Sequence, residues 1–239
     1  GGVVAIRPFH ARAAMTALRT NLHTMPQSEF QLPIAVDYVA TFLWALSGAI
    51  VGMHKRYDFA GMVVIAVLAS TGGGLIRDGL FLQRRPPVLE VAWYIPVILA
   101  AAIVAALFRY RIGRIGLVDQ IISMIDAVGV PAFAVVSMQL SLRAGIPVPG
   151  VILVGVVNGV GGGLLRDLVV GDTPSIIKPG QFALSPLLFV CVVFLILVLG
   201  LGLGKDFSAW SVIALYFVIR MLSIRYNWRT RPVLPDPPL

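Results

Sequence analysis

The sequence predicts an all-α integral membrane protein of seven transmembrane helices, arranged as a 3+3 inverted-topology repeat plus a seventh helix. Three observations predict it. Across 239 residues, 58% are hydrophobic and only 13% charged, with a mean hydropathy of +0.91, a balance foreign to soluble domains. The apolar residues gather into runs of about 18 or more, long enough to cross a hydrocarbon core of roughly 30 Å. One string also occurs twice. Gly72-Gly73-Gly74-Leu75-Ile76-Arg77-Asp78 returns as Gly161-Gly162-Gly163-Leu164-Leu165-Arg166-Asp167, at an offset of 89 residues.

Residues 1–31 carry Arg7, Arg12 and Arg19 among Ala and Thr, with no acid before Glu29. They lack the continuous apolar core of a secretory signal, so they read as a leader outside the fold, with Met25 a candidate native start. Seven spans follow, at 33–53, 59–82, 89–108, 120–142, 148–170, 182–203 and 207–224. Turn chemistry separates them, as in Lys55-Arg56-Tyr57-Asp58, Arg84-Arg85-Pro86-Pro87 and Gly145-Ile146-Pro147. The basic stretch 109–114, Asp172-Thr173-Pro174 and Gly204-Lys205-Asp206 close the other gaps. Pro96 and Pro131 are expected to kink the third and fourth spans. Trp210, Tyr216, Tyr226 and Trp228 fall on or beyond the seventh, where aromatic residues commonly anchor to headgroups. A Pro-rich tail, 225–239, ends the chain.

Laying residues 37–78 over 126–167 without a gap matches eleven of forty-two positions, among them Asp37 with Asp126 and Gly61 with Gly150. Each unit (32–115 and 116–204) holds three spans, and three is odd. The second unit therefore enters the membrane from the opposite face, an arrangement that places binding sites or pathways near the midplane. Span seven, 205–224, stands alone.

The net charge of +8 follows the spans and does not form a nucleic-acid surface. Arg84, Arg85, Arg143 and Lys205 collect on one side. Lys55, Arg56, Arg109, Arg111, Arg114, Lys178, Arg225, Arg229 and Arg231 collect on the other, which should be cytoplasmic. The N-terminus is then outside a cell (inner) membrane and the C-terminus inside. Cys191 is the only cysteine, and the three histidines lie outside the spans, so neither a disulfide nor a His-based metal site is expected.

The duplicated motif points to the working centre. A glycine triplet is a poor helix-former, and an Arg-Asp pair is costly in hydrocarbon. Close helix packing accounts for the glycines but not for the charges. A helix broken at each triplet frees backbone groups at a depth where only protein or a water-filled cavity meets them. Carbonyls at Gly72, Gly73, Gly74, Gly161, Gly162 and Gly163, with Ser70, Thr71 and Asn158, are the candidates to touch a small ion. Asn158 aligns with Ala69 and serves equally well as helix-packing glue. By depth, Asp37 is expected to pair with Arg77 and Asp126 with Arg166, with Asp78 and Asp167 facing away from their own arginines. Phe42 and Trp44 align with Pro131 and Phe133 and are either gate aromatics or lipid-facing bulk, the latter being the favoured expectation.

With its doubled motif, three-plus-three spans and lone seventh, the chain resembles prokaryotic members of the TRIC (trimeric intracellular cation) channel family over about residues 32–224. The same duplicated domain occurs in a related bacterial family that includes glycine transporters. The resemblance implies a homotrimer with one pore per protomer, spans two and five kinked at their glycines, and conduction of monovalent cations, chiefly K⁺. It implies no enzyme activity, no cofactor, and no metal beyond transient K⁺ near the triplets. Membrane lipids and other copies of the chain are the partners, and Na⁺ is a second candidate ion. Span four has no Lys or Arg to sense voltage, and no Lys-Glu-Val string is present for a lipid site. A secondary transporter of a small zwitterion such as glycine is the alternative, because paired Arg and Asp on broken helices suit a carboxylate and an amine. An aspartyl hydrolase is disfavoured: inverted topology separates Asp78 from Asp167.

Overall fold

The computed structural model describes residues 34–108, 115–174, 176–177 and 182–228. The leader, the stretch 109–114, Lys178 and the tail from Arg229 lie outside them. Among the described residues every regular element is helical. Helix α1 is Ile34–His54. Helix α2, Phe59–Ile76, starts where the Asp58 carboxylate accepts the Gly61 amide at 2.8 Å, and it runs on into a wider π-turn at Arg77–Phe81. A single helical turn, Pro87–Glu90, precedes α3 at Tyr94–Leu107. The second unit holds α4 (Ile115–Arg143), α5 (Val148–Val169) and α6 (Leu184–Leu195, extended by a π-turn at Ile196–Gly200). Helix α7 is Lys205–Arg225.

Four of these helical stretches are long and apolar enough to cross a membrane: Phe59–Phe81, Ile122–Arg143, Val148–Val169 and Lys205–Arg225. Tyr94–Leu107 and Leu184–Gly200 are shorter apolar helices. Pro96 does not kink α3. It is the helix's third residue, where a backbone N–H would have no intrahelical partner to lose. Helix α4 is assigned as one helix through Pro131.

Helices α2 and α5 pack against each other at the centre, α1 lies along α2, and α4 lies along α5. Helix α3 covers α1, and α7 packs on α4 and α6. The first unit's core is built of small side chains: Ala45, Ala49, Ala66, Ala101, Ala102 and Ala105 are fully buried. Without a hydrophobic drive between helices in lipid, such residues gain their packing by letting backbones approach. The second core is bulkier, with Met138, Leu187, Phe194 and Tyr216 around Val151 and Val212. Tyr216 is thus a core residue and no headgroup anchor; its hydroxyl donates to the Ala183 carbonyl at 3.3 Å. Val64, Leu153, Phe189, Val192, Ile196 and Val218 point outward, the inverse of a soluble surface. At one end of the bundle, Lys55 beyond α1 meets Asp172 beyond α5 at 2.6 Å.

Candidate functional site

The glycine triplets do not break their helices. Gly72, Gly73 and Gly74 lie inside α2, and Gly161, Gly162 and Gly163 lie inside α5. The Gly73 and Gly74 carbonyls still accept the Arg77 amide, so they are not freed for an ion. The glycines serve instead to bring two backbones together. A Cβ on Gly73 would lie 2.4 Å from the Asn158 carbonyl oxygen, and one on Gly162 would lie 2.1 Å from that of Ala69. Ala69 and Asn158 are themselves partners in the repeat alignment, so the contact is reciprocal. A Cβ on Gly161 would sit 3.0 Å from the Gly73 Cα. Departure from α geometry begins only at Arg77, four residues after Gly73.

The charges also pair otherwise than expected. Arg77 grips the adjacent Asp78 with two bonds, Nε–Oδ1 at 2.8 Å and Nη2–Oδ2 at 2.6 Å, and Arg84 adds a third at 2.7 Å. In the second unit Arg166 Nε donates to Asp167 Oδ1 at 2.7 Å, and its Nη1 reaches Ser47 at 2.6 Å. Neighbours on a helix diverge by about 100°, but the long guanidinium stem folds back across that angle. Burial compels it to, because Arg77, Asp78, Arg166 and Asp167 are all removed from solvent. Asp37 instead accepts the Tyr94 hydroxyl, and Asp126 is hydrogen-bonded by the Trp44 side chain. Each keeps the arginine expected for it within electrostatic reach, Arg77 for Asp37 and Arg166 for Asp126.

Two cavities lie along this charge network. The larger, of about 470 Å³, is lined by the charged or ionisable side chains Asp37, Arg77, Arg84, Tyr94 and Arg143. Its walls carry Ser70, Thr71, Gly73, Gly74 and Asn158, five of the nine residues that the sequence nominated for an ion pathway. The smaller, of about 30 Å³, is lined by Asp126, Gly163, Tyr216 and Arg220. Gly72, Gly161 and Gly162 face neither and stay in the helix contact. Trp44 lines both cavities, and its ring stacks on Phe133 with centroids 4.6 Å apart. Trp44 is buried and does not face lipid, because its indole is wedged between Phe133, Gly129 and Asp126. Phe42 is partly buried against the core of the first unit.

Three polar groups on the walls share one property. Ser70 Oγ donates to the Ala66 carbonyl at 2.7 Å, Thr71 Oγ1 to Val67 at 2.8 Å, and Asn158 Nδ2 to Phe133 at 2.9 Å. The two hydroxyls have spent their only proton on backbone and keep oxygen lone pairs, and Asn158 has spent one of its two amide protons in the same way. Sequence reasoning missed Gln139, Thr41 and Tyr94, which line the larger cavity, and did not foresee that Trp44 and Phe133 meet there. It also missed Arg220, whose signal was a lone cation inside an apolar span; Arg220 donates to the Phe182 carbonyl at 3.2 Å.

The chain is similar to known membrane proteins. A sequence model of a family described as glycine transporter matches the chain twice, at residues 34–110 and 123–198. The chain is 33% identical over 141 residues to a UPF0126 membrane protein of Deinococcus radiodurans, covering 59% of this chain and 64% of that one. It is 29% identical over 195 residues to the UPF0126 membrane protein YvgT of Bacillus subtilis, covering 81% and 93%. The inner membrane protein YadS of Escherichia coli is 30% identical over 151 residues, covering 62% and 70%. Among solved structures, one concerned with conductance through TRIC cation channels superposes with a TM-score of 0.76 at 22% identity, over 87% of this chain and all of that one. A TRIC orthologue from Rhodobacter sphaeroides gives 0.72 at 25% identity, over 82% and 98%. The chain is a multi-pass membrane protein that belongs to the glycine transporter (UPF0126) family and is related to the TRIC cation channels.

Proposed function

We propose that the chain conducts monovalent cations, chiefly K⁺ with Na⁺ a second candidate, through a pathway in each protomer of a homotrimer in the cell membrane. The observation that carries this is the set of neutral side-chain oxygens at Ser70, Thr71 and Asn158, which line one cavity and whose groups each donate to a backbone carbonyl. Such neutral oxygens replace waters of hydration without holding the ion too tightly to leave. Arg77 and Arg84 share Asp78, which tempers their repulsion of an entering cation.

The glycine triplets supply the close α2–α5 contact, and the constriction falls at Trp44 and Phe133. Seven spans in inverted halves fit the double family match and the meeting of Lys55 with Asp172 at one end. The N-terminus is outside and the C-terminus cytoplasmic in this reading. Recording purified protein in bilayers under asymmetric KCl tests it. A reversal potential near that of K⁺ is expected, and the absence of any current overturns it.

A carrier for a small zwitterion is the second reading, favoured by Asp37 sharing one cavity with Arg84 and Arg143. These offer an acid to an amine and guanidinium groups to a carboxylate. Saturable glycine uptake with counterflow in liposomes would select it over the channel.

A further inference from the structure

Gln139 lies on α4, on the face that runs from Phe133 through Val136 to Arg143 and lines the larger cavity. It is only 4% exposed, and neither its Oε1 nor its Nε2 has a hydrogen-bond partner. Buried amides are nearly always paired, so one with both atoms idle calls for a cause. Packing is not that cause. The equivalent position in the first unit is Ile50, which fills its core at 1% exposure with no polar atom. An aliphatic side chain therefore suits this place on the helix, and the glutamine brings something that packing does not ask for.

Its height in the cavity indicates what. Gln139 stands six residues beyond Phe133, and Asp37 seven residues before Trp44. At 1.5 Å per residue they lie about 9 and 10.5 Å from the aromatic stack, on helices that line the same hollow. The cavity, at about 470 Å³, has room for a small solute that keeps several of its waters at about 30 Å³ each.

We propose that Gln139 is a specificity-determining residue for permeation, contacting a partly hydrated monovalent cation. Its Oε1 takes the place of a hydration oxygen, and its Nε2 donates to a water that the ion retains. Ser70, Thr71 and Asn158 supply the remaining neutral oxygens. The inference rests on the cation reading above and adds the residue that sets selectivity in it.

The test uses the purified full chain in bilayers, as wild type, Gln139→Leu and Gln139→Glu. Conductance and reversal potential are read in asymmetric KCl and in opposed KCl and NaCl, with thermal unfolding measured in parallel. Gln139→Leu should lower K⁺ conductance severalfold while its melting temperature holds or rises, because an unpaired amide has left the interior. Gln139→Glu should raise cation-over-anion permeability. A Gln139→Leu protein with wild-type conductance and permeability ratios overturns the inference and leaves the channel reading standing. So does a lost conductance accompanied by a lowered melting temperature, which marks a structural role. A wild type that carries no current overturns both.

Discussion

Trp44 and Phe133 meet ring to ring, 4.6 Å between centroids, at positions 89 residues apart, the spacing of the duplicated motif. The stack therefore joins equivalent points of the two units, and its Trp44 borders both the larger cavity and the smaller one. In the channel reading proposed above the solute passes at this stack, so removing it should open the path. Phe133→Ala is expected to raise K⁺ flux in proteoliposomes. Trp44→Phe keeps the stack but loses the bond to Asp126, and it should raise flux less. Flux at or below wild type in a well-folded Phe133→Ala protein would show that the stack is no barrier.

The glycine contact makes a graded prediction. A Cβ at Gly162 would come within 2.1 Å of a backbone oxygen, whereas one at Gly74 would find only the Arg77 guanidinium at 3.9 Å. Gly162→Ala must push α2 and α5 apart and should cost about 1–3 kcal/mol. Gly74→Ala should fold normally and narrow the cavity. Thermal unfolding in detergent, run beside K⁺ flux, checks the pair: stability should fall in the first, flux in the second.

The ion pairs can be separated by double-mutant cycles. Arg77 and Asp78 share two short bonds in a buried place, so removing Asp78 should cost about 3–5 kcal/mol by stranding Arg77, and removing Arg77 should cost less because Asp78 keeps its bond from Arg84. The coupling between Arg77 and Asp78 should exceed that between Arg77 and Asp37, whose carboxylate is engaged by Tyr94. Equal couplings would return Asp37 to the role of principal partner.

Topology is open to labelling, because Cys191 is 1% exposed and gives little background. Lys55→Cys and Asp172→Cys should react with an impermeant thiol reagent from the same face of the membrane. Arg84→Cys should react from the other. The Lys55–Asp172 pair is half exposed, so losing it should cost no more than about 1 kcal/mol. Labelling of all three from one face would rule out the alternating arrangement of spans.

By itself, the sequence determined the all-helical membrane class, the approximate bounds of the longer helices in the described residues, and the repeated string. Apolar run length and a repeated string are local properties, read without knowing what touches what. It also named Ser70, Thr71 and Asn158, since polar side chains in an apolar span must find a partner or a cavity. Only tertiary structure decided what the glycines do. A triplet looks like a break when the helix is considered alone, and becomes a contact surface once Asn158 and Ala69 carbonyls press against it. It likewise decided that Arg77 turns to Asp78, that Trp44 faces Phe133 and not lipid, and that Gln139 is left unpaired beside a cavity. Each of these depends on which helix lies opposite, and the spacing of residues along one helix carries no record of its neighbour.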